Sequence, residues 1–586
     1  MSSALQHRPG LDGVRALAVA AVLLYHGEVS QASGGFLGVD VFFVLSGFLI
    51  TSLLLDDRAR HGTVRLAQFW LRRARRLLPA ALLVIVVALV VTATWHPSDL
   101  RALRGDAVAA FFYANNWHQV FTHRSYFASF DRPSLLQHYW SLAVEEQFYL
   151  IWPLALLAMR RWSRRRIAAV ALLGAAGSSL LMASLYNPDA DPSRVYYGTD
   201  TRAMPILVGV ALACFWPVLG EVRAVSRGSV LLLDALGIGA LAALVVAMAT
   251  WNDYDAFVYR GGLVIVAVAA ALVIGSAAHP ASRFGRVLGW APLEWIGRRS
   301  YGIYLWHWPV MALSRPDIDV HWPLWQLVPV QTGTTLLLAE LSYRYVERPF
   351  RNGTVQRRLR RFASTLSAAR RRIAMGAVAA ATTGAVAAIA AAPAPAEPRP
   401  FKQLASADAL VPDAQLRAPA QHVTMQRVGH TIAHQPVLMV GASVMLAAIK
   451  PLHEMLHAIV DAKVGRQPDD IINRLRAYRR HHALEPVVAV QIGENGPLTT
   501  DEALALRQVL RGVPIVVLIN LRDPRKSWVA VSNKKIDHLV KTWRQVVLAD
   551  WRRASANPRL LWDGTHPKPT GAVVYARIVR DAIDSR

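Results

Sequence analysis

Two side chains in the first apolar run, Arg15 and His26 of "LDGVRALAVAAVLLYHGEVS", are of types that handle phosphates and protons. On a helix, eleven residues return to within about 20° of the starting direction, about 16 Å along the axis, so both lie on one face. A guanidinium suits phosphate because its fork donates two parallel hydrogen bonds. An imidazole titrates near neutrality and can take a proton from an attacking hydroxyl. The same pair would also serve as plain interfacial anchors at the two ends of a membrane helix.

Further polar residues interrupt the apolar background. Asp40 lies in "FLGVDVFFVLSGFLIT", and Arg72, Arg73, Arg75 and Arg76 in "FWLRRARRLLP". His138, Glu145 and Glu146 lie in "QHYWSLAVEEQFYLIWP", Arg202 in "TDTRAMPILVG", His307 in "SYGIYLWHWPV" and Glu347 in "SYRYVERPFR". Any one of these reads as an anchor, an ion pair or a cap. Together they supply His, Glu and Arg from several spans, as a polar cavity inside a helix bundle requires.

The elements that must position them are set by composition. The chain has 586 residues, 54% hydrophobic and 18% charged, with apolar runs long enough to cross a hydrocarbon core. The net charge of +26 does not point to nucleic acid, because the basic clusters fall between apolar runs, as in cytoplasmic loops. Spans are expected near 11–29, 37–55, 77–95, 141–159, 167–185, 202–219, 229–250, 260–278, 300–314 and 324–345, with the N-terminus cytoplasmic. Asp106–Phe121 carries Asn, His and Trp and is expected to be re-entrant or interfacial. Ile373–Ala392 would form a linking span after the basic segment that begins at 353. A proline-rich linker then opens a stretch over 393–435, leading to short apolar strands alternating with helical stretches over 436–586. That alternation is the pattern of an α/β domain with a parallel sheet. By parity of the spans, this domain lies outside the cytoplasmic membrane. The single Cys214 permits no intrachain disulfide.

The Arg15–His26 spacing, "GVDVFFVLSGFLIT", "RRARRLLP", "HYWSLAVEEQFY" and "SYGIYLWHWP…YRYVERPFR", in this order, resemble the acyltransferase 3 family over about residues 8–352. The resemblance implies a polytopic bacterial enzyme of the cytoplasmic membrane. It would move acyl groups, usually acetyl, from cytoplasmic acyl-coenzyme A to hydroxyls of envelope carbohydrates or glycolipids. It also implies that Arg15 and His26 are essential and that arginines of the 72–76 cluster contribute to donor binding. Acetyl-coenzyme A is then a co-substrate; no bound cofactor and no metal are expected. Tyr139 stands where the family usually has Thr.

In the C-terminal part, "VLMVGASVMLAA" reads as a strand, a tight turn and a helix with Ser443 at the turn. A serine there is also an ordinary helix cap. Four blocks in order, with Ser443, Gly465, Asn495 and the Asp563–His566 pair, resemble the SGNH hydrolase family over about 436–584. The resemblance implies Ser443 as nucleophile, His566 as general base and Asp563 as its orienter. It further implies an oxyanion hole from the N–H groups of Ser443 and Gly465 and the side chain of Asn495. The usual Gly-Asp-Ser block is here Gly441-Ala442-Ser443, and Glu494 precedes Asn495. From residue 401 onward, 26 Lys and Arg stand against 16 Asp and Glu, a balance suited to an acidic envelope polymer.

The expected whole is an envelope-glycan O-acyltransferase with four parts. These are a membrane domain (1–352), a basic segment with a linking helix (353–392), a linker (393–435) and an SGNH-like domain (436–586) that relays the acyl group. Alternatives are a C-terminal esterase, a C-terminal module that only binds the acceptor, and a transporter.

Overall fold

The computed structural model describes residues 7–122, 133–186, 192–216, 226–253, 255–315, 319–320, 322–355, 357, 436–463, 466–523, 527–561 and 565–586. The expected linking span Ile373–Ala392 and the linker over 393–435 lie outside these. Two compact units divide the chain near Ala396 and Glu397.

The first unit is helical. Alongside the short helices α4 (Leu100–Phe111), α5 (Asn115–Phe121), α8 (Ser193–Tyr197) and α12 (Arg283–Leu288), its long helices are α1 (Pro9–His26), α2 (Gly38–His61), α3 (Leu66–Trp95), α6 (Tyr139–Ala158), α7 (Arg164–Leu185), α9 (Thr199–Phe215), α10 (Arg227–Thr250), α11 (Leu263–Ala278), α13 (Ala291–Leu313) and α14 (Leu324–Ser342). Each overlaps one of the ten apolar runs. Several extend past the apolar window, because helix propensity does not stop where hydrocarbon would. Helix α3 starts eleven residues before the expected span, so the arginine cluster rides on its first turns. Among the described residues, five helical segments are long and apolar enough to cross a membrane by length and composition alone. Leu173 and Leu180 of α7 and Leu231, Leu232 and Val245 of α10 point outward, exposed. Such faces suit a hydrocarbon solvent, and exposed Trp95, Trp290 and Trp325 at helix ends suit its interfaces.

The run Asp106–Phe121 is split between α4 (Leu100–Phe111) and α5 (Asn115–Phe121), with Tyr113 at φ 52° between them. Its polar residues hold it in place. Asn115 Nδ2 donates to the Leu136 carbonyl at 2.7 Å and Asn116 Nδ2 to the Tyr197 carbonyl at 3.0 Å. Neither piece has the length of a straight span.

Helix α1 packs against α13 at very short range. A Cβ on Gly297 would lie 1.8 Å from the Asp12 carbonyl oxygen, so only glycine permits this crossing. The close approach brings the face of α1 that carries Arg15 and His26 onto α13.

The second unit is a five-stranded parallel sheet in the order β2-β1-β3-β4-β5. The strands are β1 (Val437–Gly441), β2 (Ile459–Ala462), β3 (Val487–Gln491), β4 (Ile515–Ile519) and β5 (Val546–Ala549). Strands β1, β3 and β4 are buried throughout, as expected for a sheet covered by helices on both faces. Those three have five residues each; β2 and β5 have four, and β2 contains Asp461. Because β2 and β3 leave β1 on opposite sides, a crevice opens at the carboxyl ends of β1 and β3.

Candidate active sites

In the helical unit, a cavity of about 100 Å³ is lined by Arg15, Ser46, Arg73, Arg76, Ser141, Glu145, Glu146, Tyr149, Tyr301 and Tyr304, among others. Arg15 is held by Asp12, with Nη1 donating to Oδ1 at 3.0 Å. The Arg73 guanidinium lies 5.7 Å from the Phe69 ring centre and 5.8 Å from that of Tyr149. Glu145 Oε1 accepts from Ser46 Oγ at 2.7 Å, and Tyr149 donates to Ser46 Oγ at 2.9 Å. Three guanidinium groups against two carboxylates make a positively biased pocket, suited to phosphate oxygens.

Of the four arginines of the cluster, Arg73 and Arg76 line this cavity; Arg72 and Arg75 do not. Arg72 is exposed and donates to Gln68 on its own helix. Arg75 lies at an open apolar groove with Leu78, Leu82 and Val86. Helical periodicity explains the split, since adjacent residues point about 100° apart.

His26 is not among the lining residues. It belongs to a histidine group, with the buried His138 and His307, on the other side of Tyr304. His26 Nδ1 lies 3.2 Å from His307 Nε2, His307 Nδ1 faces the Tyr304 carbonyl, and His138 Nε2 lies 3.1 Å from the Leu305 carbonyl. The Trp308 ring stands edge-on to His26 at 4.8 Å. Tyr304 thus belongs to both places: its side chain lines the cavity, with its hydroxyl 2.6 Å from Ser141 Oγ, and its carbonyl faces His307.

The remaining expected cavity residues sit elsewhere. Asp40 and Arg202 form a fully buried ion pair at 3.1 Å. The guanidinium is ringed by Phe43, Trp140 and Tyr196 at 5.5, 5.6 and 4.8 Å. This pair ties α2 to α9 and does not line the cavity. Glu347 is buried against α13, close enough that a Cβ on Gly302 would lie 3.0 Å from its Oε1. Ser141, Tyr149 and Tyr304 were not expected as site residues; their one sequence signal is helical spacing from Glu145 and His307.

In the α/β unit, Ser443 follows β1 across Ala442 and begins a short helix, Ser443–Ala447. Ser443 Oγ lies 2.8 Å from His566 Nε2, and both residues are buried. Asn495 stands beyond β3, in the same crevice, with Nδ2 donating to the Arg466 carbonyl at 3.0 Å. Gly465 and Asp563 lie outside the described residues.

Groups that the motif blocks do not include brace this site. Arg466 is buried and donates to Asp461 Oδ1 at 2.7 Å, to the Asp461 carbonyl at 2.7 Å and to the Gly441 carbonyl at 3.4 Å. It therefore supports the end of β1 next to Ala442. Asp461 also accepts from Arg474 Nε at 2.6 Å and from Tyr478 at 2.9 Å. On the other side, Thr565 donates to Asp523 Oδ2 at 2.8 Å, tying the His566 loop to the end of β4. A serine hydroxyl within hydrogen-bond reach of an imidazole, beside an amide donor, is equipped for acyl transfer.

The family profile described as "Acyltransferase domain" matches residues 8–343. The chain is 36% identical to "Peptidoglycan O-acetyltransferase OatA" of Listeria monocytogenes, over 98% of each chain. It is 33% identical to "O-acetyltransferase OatA" of Staphylococcus aureus, over 98% of this chain and 96% of that one. Among solved structures, the C-terminal catalytic domain of Streptococcus pneumoniae peptidoglycan O-acetyltransferase A matches at 21% identity. That match covers 26% of this chain and 93% of that one, with a TM-score of 0.24. With its motifs in order and full-length relatives of one kind, this chain belongs to the acyltransferase 3 family and is a membrane-associated acyltransferase.

Proposed function

We propose that this protein O-acetylates peptidoglycan, taking acetyl from cytoplasmic acetyl-coenzyme A and passing it to a sugar hydroxyl on the far side of the membrane. The observation that carries this reading is the Ser443 Oγ–His566 Nε2 contact of 2.8 Å in a chain similar over 98% of its length to a peptidoglycan O-acetyltransferase and an O-acetyltransferase. In this reading the N-terminus is cytoplasmic and the α/β unit is outside.

The guanidinium groups of Arg15, Arg73 and Arg76 hold the phosphates of the donor in the cavity they share. His26 takes the proton from the hydroxyl that receives the acyl group within the membrane unit and passes it to the coenzyme A thiolate that leaves as the carbon–sulfur bond breaks. In the α/β unit, Ser443 Oγ attacks the delivered acyl carbon while His566 Nε2 takes its proton. The developing oxyanion is met by the Ser443 N–H and the Asn495 amide. His566 returns the proton to the leaving group. It then takes one from the sugar hydroxyl, whose oxygen attacks the acetyl-serine carbon, and gives that proton to Ser443 Oγ as the serine leaves. Gly465 and Asp563 keep their expected roles as oxyanion donor and orienter. The net positive charge from residue 401 onward draws an acidic wall polymer toward this unit.

The test is base-released acetate from purified walls of cells that lack their own wall O-acetylation and express the full chain. The parent should add acetate to muramic or glucosaminyl hydroxyls, and His26→Ala should add none at equal membrane levels. Near-normal acetylation by His26→Ala rules the membrane step out. Acetate found on another glycan, with none on peptidoglycan, rules out the acceptor.

A further inference from the structure

Arg75, which does not line the cavity, sits in a groove of about 550 Å³ that opens to the outside of the helical unit. One wall is a single stripe of α3, with Leu78, Leu82 and Val86 at helical spacing. The other is Val346, in the π-helical turn Tyr343–Glu347, and Phe350, one turn beyond. Among the described residues that line the groove, Arg75 alone is charged. Its guanidinium has no hydrogen-bond or ion-pair partner among the described residues. The same residue also offers an acceptor. Pro79, inside α3, has no N–H, so the Arg75 carbonyl, four residues earlier, loses its helical donor. Pro79 itself lines the groove, which puts that carbonyl beside it.

The polar end and the apolar stripe match a lipid in size. From Arg75 to Val86 is about 16 Å along the helix axis. The hydrocarbon of one leaflet is about 15 Å deep, half of a core of about 30 Å. Arg75 lies just before the expected span 77–95, at headgroup depth, and the exposed Leu82 and Val86 lie within the hydrocarbon. We infer that this groove binds one anionic glycerophospholipid of the cytoplasmic leaflet. Arg75 donates to its phosphate, the Arg75 carbonyl accepts from a headgroup hydroxyl, and an acyl chain follows Leu78, Leu82 and Val86. A net negative head is selected because no carboxylate lines the groove to offset Arg75, and a zwitterionic head would bring a second cation to it. Basic pockets at the inner mouths of membrane helices recognise anionic headgroups in this way. The leaflet rests on the proposed cytoplasmic N-terminus; the binding does not.

The experiment titrates the full-length protein, purified in a neutral detergent, and counts bound lipid by native mass spectrometry. The probes are phosphatidylglycerol, phosphatidylcholine and glycerol 3-phosphate. Phosphatidylglycerol should bind at least about fivefold tighter than phosphatidylcholine, the worth of one basic residue at an anionic surface. Glycerol 3-phosphate, which lacks the chains, should not displace it. Arg75→Gln should erase that preference, and Leu82→Trp, which fills the groove without changing its charge, should weaken both lipids. Arg72→Gln removes an exposed arginine on the same helix that donates to Gln68, and should leave binding unchanged. The inference is overturned if Arg75→Gln and Leu82→Trp both bind phosphatidylglycerol like the parent. It is equally overturned if Arg72→Gln loses as much as Arg75→Gln, which would mean diffuse attraction, or if glycerol 3-phosphate competes at equal concentration, which would mean a phosphate site alone. A reporter fused after Arg361 that responds outside the cytoplasm would overturn the leaflet and leave the groove's chemistry standing.

Discussion

Replacing Ser443 and His566 singly and together tests whether they act as one unit. Their contact of 2.8 Å lies within the reach needed for direct proton transfer, about 2.6–3.2 Å. General-base help of this kind contributes about 10²–10⁴ in rate, or about 3–5 kcal/mol of barrier. If the two acted independently, Ser443→Ala with His566→Ala would cost the product, about 10⁴–10⁸. Because the base has nothing to do without the hydroxyl, the double variant should fall no further than Ser443→Ala alone. The assay has two arms. Wall acetate is measured for the intact protein, and release of an activated acetyl ester for residues 401–586 expressed alone. In the second arm, a short-lived gain of one acetyl should map to Ser443. The reasoning is refuted if the double variant drops by the product of the singles. Full wall acetylation by the intact Ser443→Ala protein refutes it more broadly, leaving the α/β unit as a binding module.

Three further outcomes are expected. A reporter active only outside the cytoplasm should respond when fused after Arg586 and stay silent when fused after Arg361; the reverse would mean that Asp106–Phe121 crosses the membrane. Arg202→Met should destabilise the helical unit by about 3–5 kcal/mol, because it leaves the fully buried Asp40 without its partner. Asp40→Leu added to it should restore most of the loss in a thermal-unfolding assay in detergent, and failure to do so would point to the aromatic ring around Arg202 as the main contributor. Glu485 is buried, its Oε2 has no partner among the described residues, and burial raises its pKa. A raised folded pKa favours the neutral form, so its stabilising share is full below the unfolded pKa and is lost as pH rises through the folded one. Glu485→Gln should therefore raise the melting temperature of residues 401–586 near pH 7 and leave it unchanged near pH 4; an equal gain at both would exclude ionisation as the cause.

Much of the architecture was legible in residue order because it follows from local rules. Apolar runs of span length become helices whatever surrounds them, and all ten coincide with helices of the structure. The Asn, His and Trp of Asp106–Phe121 pointed to a re-entrant or interfacial segment, whereas its division between α4 and α5 came only from the structure. In the α/β unit, the strands buried on both faces announced themselves as continuous apolar runs. The β2 segment, which contains the buried Asp461, did not, because its identity as a strand depends on pairing with β1.

The sequence by itself determined the inventory: two units, the Arg15–His26 stripe, the Ser443 turn, and a family identified by motif order. Tertiary structure alone decided which of these groups meet. Arg73 and Arg76 share a cavity with Arg15, while Arg72 and Arg75 turn away. Asp40 and Arg202, 162 residues apart in the chain, neutralise each other in the core. His26 finds His307, 281 residues away, because glycine at 297 lets two helix backbones close to contact. Such pairings depend on the angle and distance at which helices cross. A side chain's type sets what chemistry it can do; the packing of backbones, which no local pattern encodes, sets what it can touch.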